Sequence, residues 1–334
     1  MTAFHIIGKG ISAKMLNFAF DKSELYMFVR FWKTVVRAML SIITLTFCTS
    51  CGSFWDKIQV VANGYQSKFD YPGAWEKKYA YDGDYQVELF TQEDSDERIK
   101  LLQVYYPTDL KTEQRAWPLV LMANGTGIRA SKYKAIFQHL ASWGFIVVGN
   151  EDEWTWDGKS VSKSLDMMLK ANADPSSLFY QKVDTTHVGL TGHSQGGMCV
   201  YTSASLFENS RLYKALCAQS GTATMLVDSL GADFLKDVKA PMLLMGGCGD
   251  FDAKIGCRLE EMQKTYEGIG SEQRIMGRIK GIDHGDMLPR GDAYMTAWMR
   301  YWLCDDAEAG KCFVGSDAEI LNNESWQDVS RINM

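Results

Sequence analysis

The chain has 334 residues, 46% hydrophobic and 12% aromatic, enough to bury one large core and within the range of a single α/β domain. Its formal net charge is −6; the first 50 residues carry +4, so the remainder carries −10. An acidic body argues against nucleic acid as a partner.

The N-terminal stretch reads as targeting. Arg30, Lys33 and Arg37 precede the apolar run Ala38–Phe47, then come small residues and Cys51. Basic region, short apolar region and small-residue cleavage site are the layout of a secretory signal, and the run is too short to span a bilayer comfortably. Cys51, directly after Thr49-Ser50, resembles the lipidated cysteine of a bacterial lipoprotein box, although Cys48 stands where Leu is usual. The expectation is an exported protein of the bacterial cell envelope, lipid-anchored to the membrane through Cys51 and facing the periplasm or the surface. Plain secretion and a retained anchor are the alternatives. Residues 1–26 precede a better-looking start at Met27 and read as an over-extended N-terminus. The expected layout is a signal over 1–50, a lipidated tether and irregular edge over 51–80, and one domain over 81–334.

Within that domain, Tyr85–Thr91 and Lys100–Tyr106 predict two strands around the charged turn Glu93–Glu97, and Pro107 ends the second. Pro118–Met122 is continuously apolar, as in a strand buried on both faces. Tyr133, Ile136, Phe137 and Leu140 then make a helix stripe. Phe145–Val148 is the next buried strand, followed by a second stripe at Val161, Leu165, Met168 and Leu169. His187–Leu190, Ala215–Ala218, Pro241–Met245 and Arg274–Ile279 read as further strands, the last of them closing the sheet. A final helix carries Tyr294, Ala297, Trp298, Tyr301 and Trp302 on one face. Alternating strands and helices predict a mostly parallel sheet with helices on both sides, whose chemistry collects at the carboxyl ends of the strands.

An exported chain can form disulfides. Cys248 with Cys257, and Cys304 with Cys312, each close a short loop, while Cys199 and Cys217 lie in apolar segments and read as buried thiols. The sequence shows no cysteine–histidine cluster of metal-ligand spacing, and neither metal nor cofactor is expected.

Gly192-His193-Ser194-Gln195-Gly196 matches Gly-x-Ser-x-Gly between a predicted strand and a helix, the nucleophile-elbow pattern. Alone the pattern is weak, since Gly-rich strand–helix turns are common. A serine nucleophile also needs a base oriented by a carboxylate, in the chain order Ser, Asp or Glu, His. His284 is the one histidine downstream, in the loop after the last predicted strand. For the acid, the loop after Met245 offers Asp250, the preferred candidate, and Asp252, whose place also suits a cap for the following helix. Oxyanion donors are expected at the backbone N–H groups of Gln195 and of Thr126, the latter in the Asn124–Gly127 loop. Trp154 and Trp156 follow another strand end, where they form either an apolar or sugar-stacking platform or part of the domain packing.

Together these residues resemble the α/β-hydrolase superfamily. The words Tyr105–Asp109, Ala141–Val148, Gly192–Gly197 and Ala297–Tyr301 resemble more narrowly the cutinase-like polyester hydrolases and their dienelactone-hydrolase and chlorophyllase-type relatives. The resemblance spans roughly residues 80–315 and implies cleavage of a small-molecule or polymer-borne carboxylic ester by a Ser-His-Asp triad, without a metal. Relative to the polyester hydrolases, His193 stands where Trp is common, Gln195 where Met is common, and Thr126 where an aromatic often lines the cleft. Those are substrate-facing positions in the family, which favours a general esterase or an acyl esterase acting on substituted glycans. A lipase or peptidase of the same fold, and a surface lipoprotein that keeps the fold only for binding, are the competing readings.

Overall fold

Trp117–Ala123 is apolar and buried at every position, so it needs cover on both faces. The computed structural model describes residues 59–334, which form one unit. Among the described residues nine strands make one sheet: β1 Val87–Glu93, β2 Leu101–Pro107, β3 Trp117–Ala123, β4 Ile146–Asn150, β5 Val183–His193, β6 Tyr213–Gln219, β7 Met242–Gly247, β8 Arg274–Ile279 and β9 Trp326–Ile332. Their spatial order is β1-β2-β4-β3-β5-β6-β7-β8-β9. Strands β4, β3, β5, β6, β7 and β8 run parallel. On one side β2 pairs antiparallel with β4 and β1 antiparallel with β2, and on the other β9 pairs antiparallel with β8. This is the mostly parallel sheet that the alternating pattern predicts.

The principal helices are α1 Ala74–Ala80, α2 Lys134–Ser142, α3 Lys159–Ala173, α4 Gln195–Ser205, α5 Thr224–Leu230, α6 Leu259–Gly268 and α7 His284–Cys304. Side chains alternate along β3 and feed two cores. Leu119 and Leu121 join Leu165 of α3, Val200 of α4 and Met262 of α6 on one face. Val120 and Met122 join Phe137 of α2 and Trp298 and Met299 of α7 on the other. Each such aliphatic side chain contributes about 1.5–3 kcal/mol when fully buried, so covering both faces holds the central strands rigid.

Three expectations need correction. First, Arg274–Ile279 is not the last strand: β9 follows α7 and pairs antiparallel with β8. Its sequence hides the two-residue alternation because Asp328 takes a left-handed φ of 55° and the register slips between Met276 and Arg278.

Second, of the stretch expected as tether and irregular edge, residues 59–80 pack on the domain. The buried Tyr65 hydroxyl donates to Asp292 Oδ2 on α7, and that oxygen also lies 2.6 Å from His139 Nδ1 on α2. Glu76 of α1 is buried against Arg290 of α7 at 2.6 Å and accepts from Asn323 at 2.8 Å. Val61, Tyr65, Tyr71 and Tyr79 are buried alongside these polar anchors, at spacings that follow no helix or strand period, so no apolar pattern announces the docking. The signal, Cys51 and the start of the tether lie outside the described residues. No helix of the described residues is long and apolar enough to cross a membrane.

Third, Cys199, Cys217, Cys248, Cys257, Cys304 and Cys312 are all free thiols, so neither short-loop pair is bridged. Cys257 is drawn into the core with Met262, and Cys312 is buried among the side chains packed on α7, whereas Cys248 and Cys304 are half-buried. Burial pushes the Cys199 thiol up to about 12.

Candidate active site

The carboxyl ends of β3 to β8 converge on one cavity of about 670 Å³. Ser194 lies at its floor, between the end of β5 and the first residue of α4. Its backbone has φ 61° and ψ −122°, a strained conformation for a non-glycine residue that costs on the order of 1–3 kcal/mol. The flanking glycines permit the turn. A Cβ on Gly192 would lie 2.2 Å from Gly196 O, and one on Gly196 would lie 2.1 Å from Ala123 O of β3.

Ser194 Oγ–H donates to His284 Nε2 at 2.8 Å, and His284 Nδ1–H donates to Asp252 Oδ1 at 2.6 Å. The carboxylate at the histidine is therefore Asp252 and not Asp250. Asp250 points to solvent with its side chain 91% exposed, paired with Lys254 at 2.9 Å. Asp252 is fully buried, and its Oδ2 accepts from Ser220 Oγ at 2.5 Å and Gly247 N at 2.9 Å. Burial pushes its carboxyl up, but the hydrogen bonds from His284, Ser220 and Gly247 outweigh this and hold it below the usual carboxylate range.

The chain passes two residues beyond Asp250 because a turn of irregular helix, Asp252–Gly256, opens after β7. Asp252 does not cap that turn. The N–H groups of Phe251 and Asp252 are instead accepted by Asp283, at 3.0 Å each. Sequence reasoning missed both Asp283 and Ser220. Asp283 carries a local signal, an aspartate directly before a helix start, where it accepts from His284 N at 2.8 Å. Ser220 carries none, since its role comes from β6 lying beside β7.

Gln195 opens α4 and Thr126 lies in the loop after β3; both line the cavity beside Ser194. As the first helical residue, Gln195 has an N–H with no intrahelical acceptor, at the positive end of the helix dipole. In the facing loop, Gly125 N donates to Tyr133 Oη and Gly127 N to Glu153 O, which fixes Thr126 between them.

Trp154 and Trp156 line the cavity with 58% and 43% of their surfaces exposed. Their loop is held firmly. Arg98 donates to Asp152, Asp157 and the Trp154 carbonyl, Thr155 Oγ1 donates to Asn124 O, and Thr202 Oγ1 donates to Trp156 O. The opposite wall carries Met225, Phe251 and Ile255.

His193, expected to face substrate, does not line the cavity. It is 8% exposed, and its Nε2–H donates to His284 O at 2.8 Å. Burial and the neighbouring His284 pull it down to about 4, so it is neutral at physiological pH. An imidazole is small enough to turn inward and reach that carbonyl. Among the described residues no group of three or more His, Cys, Asp or Glu side chains is placed to hold a metal ion.

Residues 79–330 match the family model described as PETase, PET hydrolase-like, a span that includes the elbow, His284 and both candidate aspartates. No curated protein matches the chain significantly.

Proposed function

Because this chain belongs to the PET hydrolase-like family of α/β hydrolases, a family of ester hydrolases, we propose that it cleaves carboxylic esters through a Ser194–His284–Asp252 triad and an acyl-enzyme. The observation that carries this reading is the unbroken relay of 2.8 Å from Ser194 Oγ to His284 Nε2 and 2.6 Å from His284 Nδ1 to Asp252 Oδ1. His284 takes the hydroxyl proton as Ser194 Oγ attacks the ester carbonyl. The backbone N–H groups of Gln195 and Thr126 receive the developing oxyanion. His284 then protonates the departing alcohol, and water repeats the sequence to release the acid. Asp252, kept ionised by its three donors, holds the productive tautomer and offsets the imidazolium charge.

The cavity walls are largely apolar, with hydroxyls of Ser220, Thr222 and Thr224 and the carboxylate of Glu261, which favours neutral esters over anionic ones. The reading also includes export and lipidation at Cys51, on the strength of the basic, apolar and small-residue run before it; intact mass of the native product tests it, and a mature chain retaining residue 20 sinks it. The function is tested with p-nitrophenyl esters of increasing chain length beside Ser194→Ala. Turnover that vanishes in the variant, by about 10⁴–10⁶ in kcat, supports the reading, and a variant as active as the parent overturns it.

A further inference from the structure

The acid and the base of the proposed triad come from different loops, after β7 and after β8, and a relay of 2.6 Å tolerates little slippage between them. Neighbouring strands alone do not set the register of the loops that follow. In this chain one short segment of the base loop, Ile282-Asp283-His284, stitches the two together. Ile282 O accepts from Cys248 N at 2.8 Å and from Gly249 N at 2.7 Å. The Asp283 carboxylate continues the row. Its Oδ1 accepts from Phe251 N at 3.0 Å, Asp252 N at 3.0 Å and His284 N at 2.8 Å, and its Oδ2 reaches Phe251 N at 3.1 Å. One side chain thus binds the main-chain N–H of both the acid and the base.

The surroundings are built to admit that carboxylate. A Cβ on Gly249 would lie 2.3 Å from Asp283 Cβ and 2.5 Å from its Cγ, so the acid turn approaches Asp283 as closely as a bare glycine allows. The Phe251 ring, carried on one of the bound N–H groups, lies 4.9 Å from the His284 ring. The backbone N–H groups of Asp252 and His284 hold the Asp283 carboxyl below the usual range, so it is ionised wherever an esterase of this kind works.

We propose that Asp283 is a positioning residue: its carboxylate clamps the acid-bearing turn and the start of the base-bearing helix in a single register, so that Asp252 meets Nδ1 of His284. The proposal rests on the triad reading above. Asp283 touches no reacting atom and acts through Asp252 and His284. Without it the N–H groups of Phe251 and Asp252 face the base loop with no acceptor, and the turn slips.

The test compares Asp283→Ala, Asp283→Asn and Gly249→Ala with the parent on a short-chain p-nitrophenyl ester, with thermal unfolding of each and Ser194→Ala as control. Displacements of about 1 Å in such constellations cost on the order of 10²-fold. Asp283→Ala is expected to lower kcat about 10–100-fold while KM stays within about twofold. Asp283→Asn, whose amide oxygen can accept the same three bonds, is expected to recover most of the loss. Gly249→Ala, which keeps the carboxylate but pushes it away, is expected to reproduce the kcat loss. The proposal is overturned if Asp283→Ala keeps kcat within about twofold, or if a folded Asp283→Asn is no better than Asp283→Ala. Should Asp283→Ala not fold, Asp283→Asn and Gly249→Ala decide. An inactive Ser194→Ala beside a fully active Asp283→Ala sinks the clamp alone, whereas an active Ser194→Ala sinks the triad reading beneath it.

Discussion

The Nε2–H of His193 donates to the main-chain carbonyl of His284 at 2.8 Å, and the two imidazole rings lie 4.8 Å apart. A residue of the elbow thereby holds the backbone of the base. Its titration has a stability consequence. His193 sits at about 4 in the folded protein against 6.5 ordinarily, so the unfolded chain binds the proton more readily. The contribution is intact above pH 6.5 and is lost as pH falls from there to about 4, by on the order of 3 kcal/mol. His193→Gln keeps a donor for the carbonyl but cannot titrate. Denaturant unfolding across this window is expected to show a shallower acid loss in the variant, and parallel curves would refute the assignment.

Asp252 and Asp250 are separated by a single residue yet face opposite surroundings, one enclosed at His284 and the other in solvent. Asp252→Ala is expected to lower kcat/KM by about 10³–10⁴-fold, whereas Asp250→Ala stays within about twofold. Steady-state kinetics of the two variants decide it. A large loss in Asp250→Ala with an intact Asp252→Ala would reverse the roles.

Trp154 and Trp156 present indoles to the cavity on a loop already anchored by Arg98, Thr155 and Thr202. Replacing either by Ala is expected to raise KM for bulky or ring-bearing esters about 2–10-fold, in keeping with about 0.5–1.5 kcal/mol for a stacked ring. The melting temperature is expected to change little, because both rings are exposed. An unchanged KM across the ester series would remove them from the binding surface.

Asp292 joins Tyr65 of the N-terminal segment to His139 of α2 inside the protein. Removing one partner of such a buried pair costs about 3–5 kcal/mol. Asp292→Ala is expected to lose that much in denaturant unfolding, and a protein starting at residue 81 is expected to be far less stable than one starting at 59. Burial alone would pull His139 down, but the Asp292 charge and the Tyr81 carbonyl outweigh it and hold the imidazole above its ordinary value of 6.5. The pair's contribution is therefore complete below 6.5 and is lost as pH rises through the raised folded value. In Asp292→Ala that alkaline loss should disappear. A truncated protein as stable as the longer one would show that residues 59–80 are dispensable.

What the sequence determined by itself was what short-range pattern carries. Continuous apolar runs such as Trp117–Ala123 have one structural outcome, a strand covered on both faces, and amphipathic stripes such as Ile136, Phe137 and Leu140 supply the cover. Gly192 and Gly196 around Ser194 marked the elbow because the steric demand that only glycine meets there is itself local. His284 was legible from chain order alone. The tertiary structure decided everything that depends on which loop faces which. Asp250 and Asp252 are equivalent as letters, and a difference of two residues in an irregular turn sends one carboxylate to the histidine and the other to water. Asp283 and Ser220 matter only because β6, β7 and β8 are neighbours in the sheet. His193 left the substrate face for the His284 carbonyl, a partner 91 residues away. Residues 59–80 joined the domain through isolated buried side chains such as Val61 and Tyr79 and through single polar contacts, Tyr65 to Asp292 and Glu76 to Arg290, which leave no periodic trace in the chain. Apolar burial is additive along an element and so is written into its pattern. A directed hydrogen bond between loops depends on two positions at once, and only the folded chain brings them together.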